Sequence, residues 1–144
     1  MKEQKDANNR TELTRFLRYC TVGAAGFVAD AAVLLALVHG LGANPILARA
    51  ISFPLAVILT FALNHHWTFG GGTRKGLAAA FATYLGVQGF GLACNAAIYT
   101  TLILGLPAPF NVPLFALAVA AAVALAVNYG AAKHLVFTSP RANR

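Results

Sequence analysis

The sequence predicts an all-α integral membrane protein: four transmembrane helices, arranged as two similar helical hairpins in a bundle, with both termini cytoplasmic. Three observations carry this. Of the 144 residues, 58% are hydrophobic and 10% charged, with a mean hydropathy of +0.66. A soluble domain carries roughly 25% charged residues, so here too little polar surface exists to cover the apolar side chains in water. The apolar residues also fall into runs long enough to cross a bilayer, which takes about 20 residues each. Finally, the basic residues behind the net charge of +7 sit in short clusters between those runs, where membrane proteins keep their topology signals. A soluble enzyme, a disordered chain and a disulfide-rich secreted module are excluded, and nucleic acid is not the expected partner of the positive charge.

Residues 1–14 are polar and mixed in charge, and are read as a cytoplasmic N-terminal segment. No cleaved signal peptide is expected, because no small-residue cleavage site follows a short apolar stretch. The membrane domain covers residues 15–138. Its first span, about 16–38, ends at His39-Gly40-Leu41-Gly42, since glycine extends a helix at a cost. Asn44-Pro45 is a helix start, with Asn as cap and Pro at the first helical position. The second span, about 46–68, contains Pro54 and a kink is expected there. Gly70-Gly71-Gly72 forms a loop, and the third span runs from about 77 to 104. Pro107, Pro109 and Pro113 punctuate the next turn, with Asn111 as a candidate cap. The fourth span occupies about 112–137, and residues 139–144 form a basic cytoplasmic tail.

Counting Lys and Arg sets the orientation. Lys2, Lys5, Arg10, Arg15, Arg18, Arg74, Lys75, Lys133, Arg141 and Arg144 fall on one side, against Arg49 on the other. The positive-inside rule puts both termini and the 70–75 loop in the cytoplasm, as expected of a multi-pass membrane protein. Cys20 lies near one end of the first span and Cys94 inside the third, so no disulfide between them is expected.

The chain also matches itself. Tyr19, Val22, Gly26 and Asp30 align with Tyr84, Val87, Gly91 and Asn95, and FALNHHWTF at 61–69 aligns with YGAAKHLVF at 129–137. The unit is a two-helix hairpin used twice. An even number of spans per unit makes it a parallel repeat, related by an axis along the membrane normal.

On these residues the chain resembles the GtrA-like family of small four-span membrane proteins. The resemblance rests on the RFLRYCTVGAAGFVAD opening, the NHHWTF ending of the second span and the AKHLVF ending of the fourth, and covers about residues 15–138. His65-His66 stands where two arginines are common, and Ala132 where the repeat would place a second Asn. The resemblance implies transport of polyprenyl-phosphate-linked sugars across the cytoplasmic membrane. Separate glycosyltransferases load the lipid inside and use the sugar outside; some family members are proposed to anchor such enzymes.

Several residues are candidates for substrate contact. Asp30 is the acidic residue within a span, where a carboxylate costs at least ~2.5–3.5 kcal/mol on insertion scales. It either works on substrate, with Asn95 as its counterpart in the other repeat, or ties helices together. Arg49 either pairs with Asp30, touches the lipid phosphate outside, or snorkels to headgroups. By helix rise, Asp30 lies ~12 Å and Arg49 ~5 Å below the outer surface, a gap that a long arginine bridges.

Toward the cytoplasmic ends gather Arg15, Arg18, His65, His66, Arg74, Lys75, Lys133 and His134. These suit a phosphodiester through charge-assisted hydrogen bonds, or serve topology and attraction to anionic membrane lipids. Trp67 belongs to an aromatic belt or stacks a sugar, and Asn64 and Gln88 are candidate sugar contacts. His65-His66 makes no metal site, because adjacent helical residues diverge by ~100°. No nucleophile–base pair, phosphate-cradling loop, metal or cofactor signature appears, so an enzyme is not expected. The expected function is flipping a polyprenyl-monophosphate sugar from the cytoplasmic to the outer leaflet, with a homodimer carried as a hypothesis. The alternatives are a scaffold recruiting a glycosyltransferase and a small multidrug exporter.

Overall fold

The computed structural model describes residues 2–107 and 113–137. Regular structure among them is helical: α1 (Lys2–Leu35), α2 (Pro45–Leu63), α3 (Leu77–Gly105) and α4 (Pro113–Ala131). Wider π-helical turns extend three of the helices, over Ala36–Gly40, Asn64–Thr68 and Ala132–Val136. With these extensions the four helices are long and apolar enough to cross a membrane. They form two compact units, α1 with α2 and α3 with α4, dividing between Gly72 and Thr73.

The helix boundaries follow local chemistry. Asn44 caps α2 as expected: its Oδ1 accepts from the Ile46 amide at 2.9 Å, with Pro45 in the first turn. That satisfies one of the amides orphaned at a helix start. α2 runs unbroken through Pro54. After Thr68 the chain turns out of the helix through Gly70 and Gly71, whose φ values of 71° and 84° lie in the left-handed region that glycine enters at no steric cost. The expected cap Asn111 and the punctuating Pro109 lie outside the described residues, as does the tail.

The polar N-terminal segment is itself helical, since α1 begins at Lys2. Residues 2–14 hold neither Gly nor Pro, and a helix already nucleated in the span extends through such residues cheaply. Glu12 and Arg15 brace it with an ion pair at 2.6 Å. At 1.5 Å per residue the 34 residues of α1 reach about 50 Å. A hydrocarbon core is ~30 Å thick, so the polar turns stand clear of it.

Packing within each hairpin is inside-out relative to a soluble protein. In α2 the buried positions repeat every fourth residue as Ala48, Ser52, Ala56 and Thr60, while Leu47, Ile51, Leu55 and Ile58 face outward. Lipid tails solvate leucine well, so close backbone approach through small residues holds such helices together. Gly26 shows how close: a β-carbon there would overlap the Thr60 methyl, and one at Gly91 would overlap the Asn128 amide.

These details support the internal repeat residue by residue. Tyr19, Val22, Gly26 and Asp30 of α1 are buried, and so are Tyr84, Val87 and Gly91 of α3. Ala48, Ser52 and Ala56 have buried counterparts in Ala116, Ala120 and Ala124. Tyr19 meets Phe69 edge-on at 6.4 Å in the first hairpin, and Tyr84 meets Phe137 at 6.1 Å in the second. Both second helices finish in a π-helical turn, closed by the Phe69 amide donating to the Asn64 carbonyl and the Phe137 amide donating to the Ala132 carbonyl.

The departure at Ala132 has a local explanation. Asn64 Oδ1 accepts from the Thr68 hydroxyl at 2.9 Å, inside the protein. The matching pair in the second hairpin is Ala132 and Val136, both buried. Val has the shape of Thr without its hydroxyl, so donor and acceptor disappear together and nothing polar is stranded.

Candidate functional site

The first hairpin carries an open cavity of about 560 Å³ where α1 passes the π-helical turn that ends α2. One wall is a single face of α1: Arg10, Thr11, Thr14, Arg15 and Arg18, at helical spacing. The other is the chain from His66 through Trp67 to Gly70. Arg18 joins the walls by donating to the Trp67 carbonyl at 3.1 Å, and its guanidinium lies 5.6 Å from the Trp67 ring centroid, within cation–π range. Arg15 is held by Glu12. The cavity thus pairs cationic donors, able to grip an anion through charge-assisted hydrogen bonds, with an indole face of the kind that stacks on a sugar ring.

The two histidines part company here. His66 lines the cavity, whereas His65 stacks in parallel on Phe61 with centroids 6.1 Å apart. Their neighbouring rings are 4.6 Å apart and tilted by 60°. Asn64 is 2% exposed and committed to Thr68, which makes it part of the turn that presents His66 and Trp67.

Farther along the same hairpin, Asp30 and Arg49 form an ion pair. Asp30 is 8% exposed, while the Arg49 side chain is 52% exposed and its guanidinium lies 5.5 Å from the Phe53 ring centroid. The contact uses one carboxylate oxygen, Oδ2; Oδ1 is buried and has no hydrogen-bond partner among the described residues. Pairing with Asp30, one of the readings of Arg49, is present.

Arg74, Lys75, Lys133 and His134 belong to the second hairpin. There the Arg74 amide donates to the Val136 carbonyl at 3.1 Å, and Thr73 bridges to Phe137. This sets Arg74 and Lys75 beside the turn bearing Lys133 and His134. Each hairpin thus carries its own group of the basic residues read from the sequence.

Gln88 and Asn95 lie on α3, both half-buried, and Gln88 Oε1 has no hydrogen-bond partner among the described residues. In the second hairpin Thr83 and Leu135 stand where the repeat has Arg18 and Trp67. They line an apolar cavity of about 380 Å³ with Gly86, Val87, Phe90 and Ala131. Of these two cavities, the one in the first hairpin is basic and aromatic.

Arg10, and with it Thr11 and Thr14, was not expected at the site. The signal was present: these residues share the helical face of Arg15 and Arg18, but only if the helix continues upstream of the span.

Comparison with known proteins agrees with this architecture. No curated protein matches the chain. The family profile described as the GtrA/DPMS transmembrane domain matches residues 18–137, from Arg18 at the cavity to Phe137 at the close of the second repeat. The chain belongs to this family: it is a multi-pass membrane protein of the GtrA group, linked to the handling of polyprenyl-phosphate sugars.

Proposed function

We propose that the chain is a flippase that moves a polyprenyl-monophosphate-linked sugar from the cytoplasmic to the outer leaflet of the bacterial inner membrane, for glycosylation of cell-surface polysaccharide. The observation that carries this reading is the first hairpin's cavity. It joins Arg10, Arg15, Arg18 and His66 to the Trp67 ring, which is the chemistry a phosphodiester bonded to a sugar requires. The cationic residues hold the phosphate, Trp67 stacks the sugar, and the prenyl chain stays in lipid.

In this reading the cavity faces the cytoplasm, as the distribution of Lys and Arg expects. Asp30 and Asn95, with Gln88, offer polar contacts along the spans; Arg74, Lys75, Lys133 and His134 attract the anionic lipid to the membrane surface. The protein catalyses no covalent step and needs no cofactor. Glycosyltransferases that load and unload the carrier are its functional partners, and a homodimer would enlarge the surface along which the head group passes.

The test is reconstitution. Purified protein in liposomes should accelerate transfer of a polyprenyl-phosphate sugar between leaflets with no glycosyltransferase present. A scaffold would leave the rate at that of empty liposomes, and a multidrug exporter would move hydrophobic cations in preference. Either result overturns the proposal.

A further inference from the structure

The same hairpin has a second cavity of about 560 Å³ at its opposite end, where α1 gives way through the π-helical turn to α2. Its walls are apolar, Leu34, Val38 and Ile46 among them, and two nitrogen-bearing side chains enter it, His39 and Arg49. Arg49 is the informative one. A guanidinium carries five N–H donors. Among the described residues, the hydrogen bonding of Arg49 is confined to Asp30 Oδ2. The half-exposed guanidinium, with the Phe53 ring 5.5 Å away, therefore has unused donors where Arg49 borders this apolar-walled space, an arrangement that favours an anion.

Asp30 is an incomplete partner in the same way. It is buried, it binds Arg49 through one oxygen, and the other oxygen is unpaired among the described residues. A bidentate pair would lock the guanidinium; this one leaves it able to turn. The repeat adds a contrast, because Asn95 and Leu117 occupy these two positions in the second hairpin.

We propose that this cavity is a second site for a lipid phosphate monoester or diester, and that Asp30 competes with that phosphate for Arg49. The inference rests on the flippase reading and deepens it. Phosphate is captured at the arginine cavity and received at Arg49, and Asp30 reclaims Arg49 when the phosphate leaves. An occupied site opens the ion pair, and an empty site closes it. Competition gives the pair a sign that a purely binding role for Asp30 does not: neutralising Asp30 should strengthen phosphate binding.

The experiment measures equilibrium binding of a fluorescent polyprenyl monophosphate to the full chain in detergent, in an Arg18→Ala background that weakens the first cavity. Asp30→Asn should tighten binding about tenfold, within the usual range for coupled sites. Asp30→Asn combined with Arg49→Gln removes both charges at nearly constant volume, so that neither is left unpaired, and should abolish the gain. Inorganic phosphate at equal concentration should not displace the probe. Unchanged or weaker binding in Asp30→Asn, or a gain that survives Arg49→Gln, overturns the proposal; displacement by inorganic phosphate overturns the lipid as its ligand. If leaflet transfer by the native chain persists while these results fail, the second site falls and the flippase reading stands.

Discussion

Arg18 and Asp30 carry the sharpest expectations for individual residues. Arg18 connects both walls of the first cavity through its bond to the Trp67 carbonyl and its position beside the indole. Hydrogen bonds to charged groups contribute ~1.5–3 kcal/mol, so Arg18→Ala should weaken capture of a polyprenyl-phosphate sugar by about tenfold or more. A half-saturation titration of transfer rates reads this directly; unchanged half-saturation would remove Arg18 from the site. For Asp30 the expectation is graded. Asp30→Ala should abolish transfer, because it removes the partner that withdraws Arg49, while Asp30→Asn keeps a hydrogen-bonding group and should retain part of the rate. Full activity of the Ala variant at normal expression would make the ion pair structural only. The composition of this pair was legible in the sequence, since a carboxylate in a span needs a partner and Arg49 lies within reach. Its single-oxygen geometry was not, because that depends on rotamers set by the packing of α1 on α2.

Helices and turns were legible where the chain punctuates itself. Asn44-Pro45, the glycines at 70–72 and the apolar run lengths mark boundaries by known chemistry, and the helices begin and end close to them. The π-helical turns carried no such mark, since NHHWT and AKHLV read locally as ordinary helix. The upstream reach of α1 is not legible from polarity, which ends only the membrane-embedded part of a helix. The turn at Asn64–Thr68 offers a direct test of why it differs from its repeat. Asn64→Ala strands the buried Thr68 hydroxyl and should destabilise the protein by roughly 1–2 kcal/mol, the upper range for hydrogen bonds in membrane proteins. Adding Thr68→Val recreates the Ala132–Val136 pair and should recover most of that loss, as read from thermal unfolding in detergent. Additive losses would show that the hydroxyl is satisfied elsewhere. Helix contact can be probed in the same way: Gly26→Ala should loosen α1 from α2, and Thr60→Ser, which deletes the methyl that a β-carbon meets, should relieve it.

At the scale of the whole molecule, two copies of one hairpin share a packing scheme and have diverged in charge. Burial, ring contacts and terminal turns repeat, but the first hairpin holds the arginine cavity and the ion pair, while the corresponding positions of the second are mostly apolar. The repeat was legible because its tyrosines, glycines and phenylalanines are packing residues; the division of labour was not, because it depends on which side chains border empty space. Orientation is the first prediction here. With native cysteines replaced, single cysteines at positions 42 and 109 should react with an impermeant thiol reagent applied outside, and one at 75 should not; labelling of 75 from outside would reverse the topology. The central claim is that the cargo is an anionic lipid, and the rate of leaflet transfer under an imposed membrane potential tests it most directly. A sugar phosphodiester moves one negative charge, worth about 2.3 kcal/mol per 100 mV across the full membrane. Proteoliposomes loaded with a polyprenyl-phosphate sugar should therefore transfer it outward faster when the interior is negative and slower when the potential is reversed. A rate equal to that of protein-free liposomes at either potential would contradict the account.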